Sequence, residues 1–389
     1  MFRITNFHEL LKGLPRSAFD RMVKERKASK YHKHFGPWEH LTTMLYAQLS
    51  GAPGLRPLEA SFNAHASHHY HLRMTPIKKS TLAEANRNRS DSVFKDVAAF
   101  LMGSVPRKLR DDCEELMYLL DSTSITLKGR KFDEWTFENR NRNTQGIKLH
   151  VMYDAHQNVP VWSEFSAANV NDVELAAAVP LQKGARYVFD KGYTSYNWWN
   201  LIDNEQALFV TRFKKNAGVS VQAALDIPTE AADVVISDEV VQFKSKNPGG
   251  KRVNTYFGKP LRRITIVRPD KDTPIVLATN DFTSSALEIA QHYKKRWAIE
   301  LFFKWIKQHM KIKHFLGSSE NAVRIQILTA LISYLLVALH HKIKQSTQSL
   351  WHHFCMISAS LFQRPATEAT LCRRQRERQF INEKQGCLF

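Results

Sequence analysis

The chain is poor in cysteine, with four in 389 residues: Cys113, Cys355, Cys372 and Cys387, widely separated and forming no C-x-x-C pair. That spacing argues against a disulfide framework and a cysteine-based zinc site, and it suits a reducing cytosol. Internal repeats and low-complexity tracts are absent as well, which leaves a repeat-built structural role without a basis. The opening stretch MFRITNFHELLKGLPRSAF lacks the long apolar core of a signal peptide. The most apolar run, Ile325 to Leu339, is short for a membrane span and carries Gln326 and Ser333. It reads as a buried helix, and the expectation is a cytoplasmic protein with no membrane partner.

Apolar residues make up 43% of the chain and aromatics 11%, enough to bury a sizeable core in two or three domains. Lys and Arg number 56 against 37 for Asp and Glu, a formal charge of +19. Solubility and packing do not require so large an excess, so a polyanionic partner is the natural reading. The excess is spread along the chain, which favours several nucleic-acid contacts over one accessory arm.

Residues 1–110 read as helical. Leu10, Leu11, Leu14, Phe19, Met22 and Val23 recur near helical spacing with a break at Pro15, and Trp38 to Leu49 gives a second apolar helix ended by Ser50-Gly51. The run from Lys78 and Lys79 to Arg87 and Arg89 reads either as a phosphate-tracking face or as a solvated one. His65, His68, His69 and His71 cluster without a cysteine beside them, leaving zinc binding and plain surface or DNA-adjacent roles both open. From 111 to 213 the pattern becomes mixed. Met117 to Asp121 is an apolar run ending in an acid, and Ile147 to Tyr153 with Val159 to Phe165 reads as a hairpin. A helix over 170–179, a second acid-tipped strand Tyr187 to Asp190, a helix Tyr196 to Asn204 and a strand Ala207 to Thr211 follow. Together they predict an α/β domain with a mixed sheet and helices packed on it. Residues 214–282 hold strand-like segments and read as a β-rich insertion too long to be a loop. Helix returns over 283–344, and 345–389 is a basic C-terminal region with Arg373, Arg374, Arg376 and Arg378.

Asp121 and Asp190 each end a strand, where a carboxylate can face a cleft from a rigid backbone and hold a cation. Acids at strand ends are also ordinary turn formers, so local pattern leaves both readings open. Around Glu300, helical spacing puts Tyr293, Arg296, Trp297, Glu300, Lys304 and Lys307 on one stripe and Ile299, Phe302, Phe303, Ile306 and Met310 on another. A solvated face with Glu300 paired to Lys304 accounts for the charges. It does not account for Tyr and Trp among them, whereas DNA offers phosphates for the cations and a base for Trp297.

The spacing Tyr293-x-x-Arg296-x-x-x-Glu300 followed by Lys307, with LLDSTSI at 119–125 and YVFDKGY at 187–193, resembles the three catalytic segments of bacterial insertion-sequence transposases of the type-four family, with its Y-R-E-K signature. The likeness covers about residues 115–335, and the first 75 residues are similar to an N-terminal domain found in one branch of that family. The resemblance implies a ribonuclease-H-like catalytic domain with a β-rich insertion and helical N- and C-terminal regions, the N-terminal one binding DNA. It implies Asp121, Asp190 and Glu300 as catalytic ligands of Mg²⁺, for which Mn²⁺ substitutes, with Asp121 shared between two ions. Tyr293, Arg296, Trp297, Lys304 and Lys307 are the implied DNA contacts, and Tyr256 and Phe257 are candidates for a stacking aromatic in the insertion. One ion activates water or a 3′-hydroxyl and the other stabilises the leaving oxygen. The implied partners are double-stranded DNA with terminal inverted repeats, target DNA and a second copy of the chain, with cut-and-paste through hairpin ends. A Mg²⁺-dependent nuclease without strand transfer and an inactive DNA-binding derivative are the alternatives.

Overall fold

Helical spacing at both ends of the chain and apolar runs in its middle produce two kinds of architecture. The computed structural model describes residues 4–29, 34–109, 115–127, 129–139, 144–214, 217–247, 253–268, 272–310 and 314–365. Arg373, Arg374, Arg376 and Arg378 lie outside the described residues, as do Cys113, Cys372 and Cys387. The chain begins with α1 (Asn6–Leu11), α2 (Arg16–Glu25), α3 (Pro37–Ser50), α4 (Leu55–Asn63), α5 (His69–Leu72), α6 (Lys79–Asn88) and α7 (Ser92–Leu109). Next come β1 (Met117–Thr126), α8 (Arg130–Thr136), β2 (Gly146–Asp154), β3 (Val159–Ala167), α9 (Asp172–Leu175), β4 (Arg186–Phe189), α10 (Tyr196–Asn204) and β5 (Leu208–Arg212). Four strands follow, β6 (Val219–Ala224), β7 (Val235–Phe243), β8 (Leu261–Ile266) and β9 (Ile275–Thr279). The described chain closes with α11 (Ala286–Lys295), α12 (Trp297–His309), α13 (Glu320–Ile343) and α14 (Leu350–Ala359). Contacts divide it into two units, Met1–Val97 with Ile332–Phe389, and Ala98–Leu331.

The first unit is helical. Pro37 opens α3, and Gly51, at φ 65°, closes it in the left-handed conformation that glycine adopts without strain. The Phe362 ring packs 5.4 Å from Tyr46 and 6.1 Å from Phe7, while the amides of Asn6 and Phe7 donate to the carbonyls of Gln363 and Leu361. The start of the 345–389 stretch is therefore helix and packed chain inside this unit. His65 stacks on Phe362 at 4.4 Å and His69 on Phe62 at 4.3 Å, so these histidines fill aromatic contacts. Arg89, read from sequence as a phosphate contact or a solvated group, donates to the carbonyls of Phe35 and Gly36. α13 is long and apolar enough to cross a membrane by length and composition, but 94% of that stretch is buried, as expected of a core helix.

The second unit is built on one nine-stranded sheet in the order β3-β2-β1-β4-β5-β9-β8-β7-β6. β1, β4 and β5 are parallel neighbours and the other pairings are antiparallel. The strands of the 214–282 stretch do not form a sheet of their own, because β9 pairs with β5 and carries β8, β7 and β6 outward from it. Val235-Ile236 and the apolar run Val240 to Phe243 belong to one strand, β7, with a register shift between Val235 and Ser237. Trp198, Trp199 and Ile202 of α10 cover Tyr187, Phe189 and Phe209 of the sheet. Tyr256, a candidate for stacking on DNA, sits in the same core 6.3 Å from the Phe209 ring, where no base can reach it; Phe257 is exposed.

Two buried ion pairs join the sheet to the helices that follow. Arg262 forks onto Asp238 at 2.9 and 2.6 Å and donates to the carbonyls of Asp281 and Ser284. Arg186, at the start of β4, donates to Asp281 at 2.6 Å, and the Asp281 side chain is wholly buried. Burial alone would raise the Asp281 carboxyl, but hydrogen bonds from Ser284, Arg186 and Thr283 outweigh it and hold the group well below the ordinary carboxylate range. Asp281→Asn leaves Arg186 buried without its charge partner and is expected to cost about 3 kcal/mol in urea unfolding. Because the folded-state value is depressed, the pair's contribution is complete above the ordinary value of 3.8 and is lost as pH falls below it. Wild type and variant should therefore converge in acid; a constant gap across that range would contradict the assignment.

Candidate active site

Three neighbouring parallel strands deliver their next residues in one row. Leu120 pairs with Phe189 across β1 and β4, and Phe189 with Thr211 across β4 and β5. Asp121, Asp190 and Arg212 therefore come next, side by side. The preceding MYLL and RYVF segments are fully buried, as parallel strands covered on both faces should be, so the carboxylates rise from rigid backbone. Asp121 does not end its strand: β1 runs on to Thr126 against β2. It marks instead the point where β4 stops, and the opening left by that missing neighbour is the one it faces.

Glu300 arrives from the other side. Ile299, Phe302, Phe303, Ile306 and Met310 bury the apolar stripe of α12, with Phe302 5.0 Å from the ring of Tyr153. The opposite flank holds Glu300, whose Oε1 accepts from Arg296 Nη2 at 2.5 Å, while Arg296 Nη1 lies 3.7 Å from Asp121 Oδ2. Glu300 is thus paired backward to Arg296, and among the described residues Lys304 forms no ion pair with it. The stripe from Tyr293 to Lys307 is not one helical face. Bonds from Arg296 N to the Tyr293 carbonyl and from Ile299 N to the Arg296 carbonyl tighten the backbone and divide α11 from α12. Tyr293 is turned inward and buried, with its hydroxyl 3.4 Å from Asp190 Oδ1, whereas Trp297 is 58% exposed and available to stack.

Asp121, Ser122, Glu300, Lys304 and Lys307 line an open cleft of about 440 Å³. Asp190 stands beside it, 3.9 Å from Arg212, whose guanidinium lies 6.0 Å from the Tyr293 ring. Arg212 was invisible as a site residue because a single cation after an apolar run has no pattern, although its strand ends in register with those of the acids. Asp172 was missed too. Its Oδ1 accepts from Ser122 Oγ and Lys148 Nζ, both at 2.9 Å, beneath Asp121. Deeper still, His150 Nδ1 lies 2.9 Å from the Tyr193 hydroxyl, and burial lowers that imidazole to about 4, so it is neutral.

Burial raises the Asp121 carboxyl to about 6, with the charges of Glu300 and Asp172 adding to the effect and the Ser122 amide and Arg296 opposing it. Arg296 Nε is itself buried without a hydrogen-bond partner, so this guanidinium is held by charge more than by complete bonding. Half-buried carboxylates as oxygen donors, with a cation already bridging two of them, fit a hard divalent ion in chemical type. Among the described residues no group of three or more His, Cys, Asp or Glu side chains converges tightly enough to hold one. Arg296 occupies the space between Asp121 and Glu300.

Residues 113–336 match the family model described as a transposase DDE domain, and residues 3–74 match a domain of unknown function, DUF4372. The chain is 38% identical over 285 residues to y4zB of Sinorhizobium fredii, which carries a transposase name, covering 73% of this chain and 77% of that one. It is 26% identical to the protein named as the transposase of insertion sequence element IS5377 of Geobacillus stearothermophilus, over 69% of each chain. With the protein named for element IS4SA of Synechocystis it shares 24% identity, over 69% of this chain and 73% of the other.

The charge balance at Asp121 makes a test that needs no substrate. Its carboxyl is raised in the folded state, so stability should fall as pH climbs from the ordinary 3.8 to about 6 and stay lower above that. In EDTA at pH 7.5, Asp121→Asn should therefore be more stable than wild type by about 2 kcal/mol, with the gap closing below pH 4. Urea unfolding across pH measures this, and a variant no more stable at pH 7.5 would remove the charge-strain account.

Proposed function

Because the chain belongs to the DDE transposase family, we propose that it cleaves the ends of its element and transfers the freed 3′-hydroxyls to target DNA, with Asp121, Asp190 and Glu300 as the reactive centre. The observation that carries this reading is the row of Asp121 and Asp190 on adjacent parallel strands with Glu300 brought to Asp121 through Arg296. The strand order β3-β2-β1-β4-β5, three antiparallel and then two parallel, supports a ribonuclease-H-like core. The Tyr293, Arg296, Glu300 and Lys307 spacing supports the type-four, Y-R-E-K branch.

Asp121 would be shared between two Mg²⁺ ions, Asp190 and Glu300 would each complete one, and Mn²⁺ would substitute. When bound, the ions supply charge neutralisation for the attacking and leaving oxygens of an in-line displacement. The chain's own residues do the rest. Lys304 and Lys307 stand on the same cleft wall as Glu300 and would hold the phosphates flanking the scissile bond, while exposed Trp297 offers a stacking face for an unpaired base. Arg296 bridges Asp121 and Glu300 in the DNA-free protein and would turn to a phosphate oxygen on loading, so its charge stays in the site. Tyr293, buried between Arg296 and Arg212, orients both and holds Asp190.

Each step exchanges one P–O bond for another. Water supplies the first oxygen, the released 3′-hydroxyl attacks the opposite strand to close a hairpin, and a second hydrolysis frees it to attack target DNA. Two ends joined together imply terminal inverted repeats and at least a dimer on DNA, acting on the nucleoid of a bacterial cytoplasm. The test uses the full chain, its flanking terminal repeats and Mg²⁺. Wild type should yield nicked, hairpin and joined products, all absent in EDTA. Glu300→Gln should keep end binding within about twofold and lose nicking by at least about a hundredfold. Normal nicking by Glu300→Gln would remove the site assignment, and nicking with no joined product from paired ends would favour a nuclease.

A further inference from the structure

Asp172 opens the short α9, outside the three family segments, and its carboxylate bonds to Ser122 beside Asp121. Oδ1 accepts from the hydroxyl of Ser122, the residue after Asp121, and from the ammonium of Lys148 on β2, both at 2.9 Å. Lys148 also donates to the Val170 carbonyl at 2.7 Å, tying down the chain that leads into α9. The other oxygen, Oδ2, faces Gly192, two residues after Asp190. A Cβ built on Gly192 would stand 3.2 Å from Oδ2, closer than such a contact ordinarily allows. One carboxylate therefore bonds beside Asp121, through Ser122, and lies close against the turn that follows Asp190, where a side chain at position 192 would crowd it. The Lys148–Asp172 pair is mostly shielded from water, with side-chain exposures of 12% and 25%, so this contact is firmer than a surface ion pair.

We propose that Asp172 is a positioning residue that bridges the β1 segment bearing Asp121 and the turn bearing Asp190, and so sets the separation of the two aspartates. Resting on the reading of this site as a divalent-metal centre, the proposal gives Asp172 the outer role that hydrogen-bonded partners of metal-ligating groups play: it fixes where the ligands stand without being one.

Mn²⁺ binding to the full chain without DNA, followed by calorimetry, reads this directly. Asp172→Ala should weaken Mn²⁺ binding by about tenfold, and Asp172→Asn, which keeps an acceptor for Ser122 but loses the charge facing Lys148, by less. Gly192→Ala should weaken it in the same direction by crowding Oδ2, and should add nothing in the Asp172→Ala background, where the crowded group is gone. Asp172→Asn gives up the shielded pair with Lys148 and should lower the melting temperature, so the separating variant is Gly192→Ala, whose melting temperature and affinity for element-end DNA should remain near wild type while Mn²⁺ binding weakens, which a purely structural role would not allow. Mn²⁺ affinity unchanged in folded Asp172→Asn and Gly192→Ala overturns the role of Asp172 and leaves the metal reading standing. Failure of wild type to bind Mn²⁺ at all overturns both.

Discussion

The buried pair between Arg186 and Asp281 sets the geometry of the catalytic unit. Arg186 begins β4, the strand that leads to Asp190, and Asp281 lies just before α11, the helix that leads to Arg296 and Glu300. The Asp281 carboxylate also accepts from the amides of Thr283 and Ser284, folding the loop back so that Ser285 and Glu288 can form a capping box at the start of α11. From that anchor the lengths agree. Four residues of β4 span about 13 Å. Ten residues of α11 span about 15 Å. A helix started level with the beginning of the strand therefore ends level with its tip, where Tyr293 meets Asp190 and Arg296 meets Asp121.

At that tip the structure gathers like charges and tolerates them through arginine. Burial raises the Asp121 carboxyl, the charges of Glu300 and Asp172 add to it, and the Ser122 amide and Arg296 oppose it only in part, since the group remains raised to about 6. Arg296 Nε, buried without a hydrogen-bond partner, marks the same incomplete satisfaction. On the proposed reading of this site as a metal centre, a divalent cation would supply the interaction that Arg296 supplies incompletely and would leave Arg296 to an anion. Binding of metal and of phosphate would thus be coupled through a single side chain, with no need for a large movement of the sheet.

The elements with strong local patterns were legible in the sequence. The hairpin of β2 and β3, the boundaries of α10, the buried α13 and the apolar stripe of α12 follow from periodicity, and Asp121 and Asp190 stand out because apolar runs stop at them. What escaped depends on long-range pairing. β6 has little burial to pattern it, with most of its residues exposed, so its strand character comes from β7 beside it. Continuity of the sheet through β9 is a register relation that a run such as Ile275 to Ala278 cannot announce. Arg212 and Asp172 carry no motif, because each matters only through the residue it meets across the fold. The break at Arg296 was hidden for a different reason: one tightened turn changes the direction of side chains without changing the apolar spacing on either side.

Continuity of the sheet also explains how Asp190 and Glu300 can be separated by a long stretch of chain without loss of precision. Closing a longer loop costs only a logarithmically growing entropy, so the stretch is tolerable if its ends are held. They are held twice: β9 is hydrogen-bonded to β5, one strand from β4, and Arg262 of β8 donates to the carbonyls of Asp281 and Ser284 while forking onto buried Asp238 of β7. The outer strands therefore bear on the start of α11 directly. Changes at the far edge, in β6 or its turn, can vary freely, whereas Asp238, Arg262 and Asp281 transmit the position of the sheet to the helix that brings Glu300 to the site.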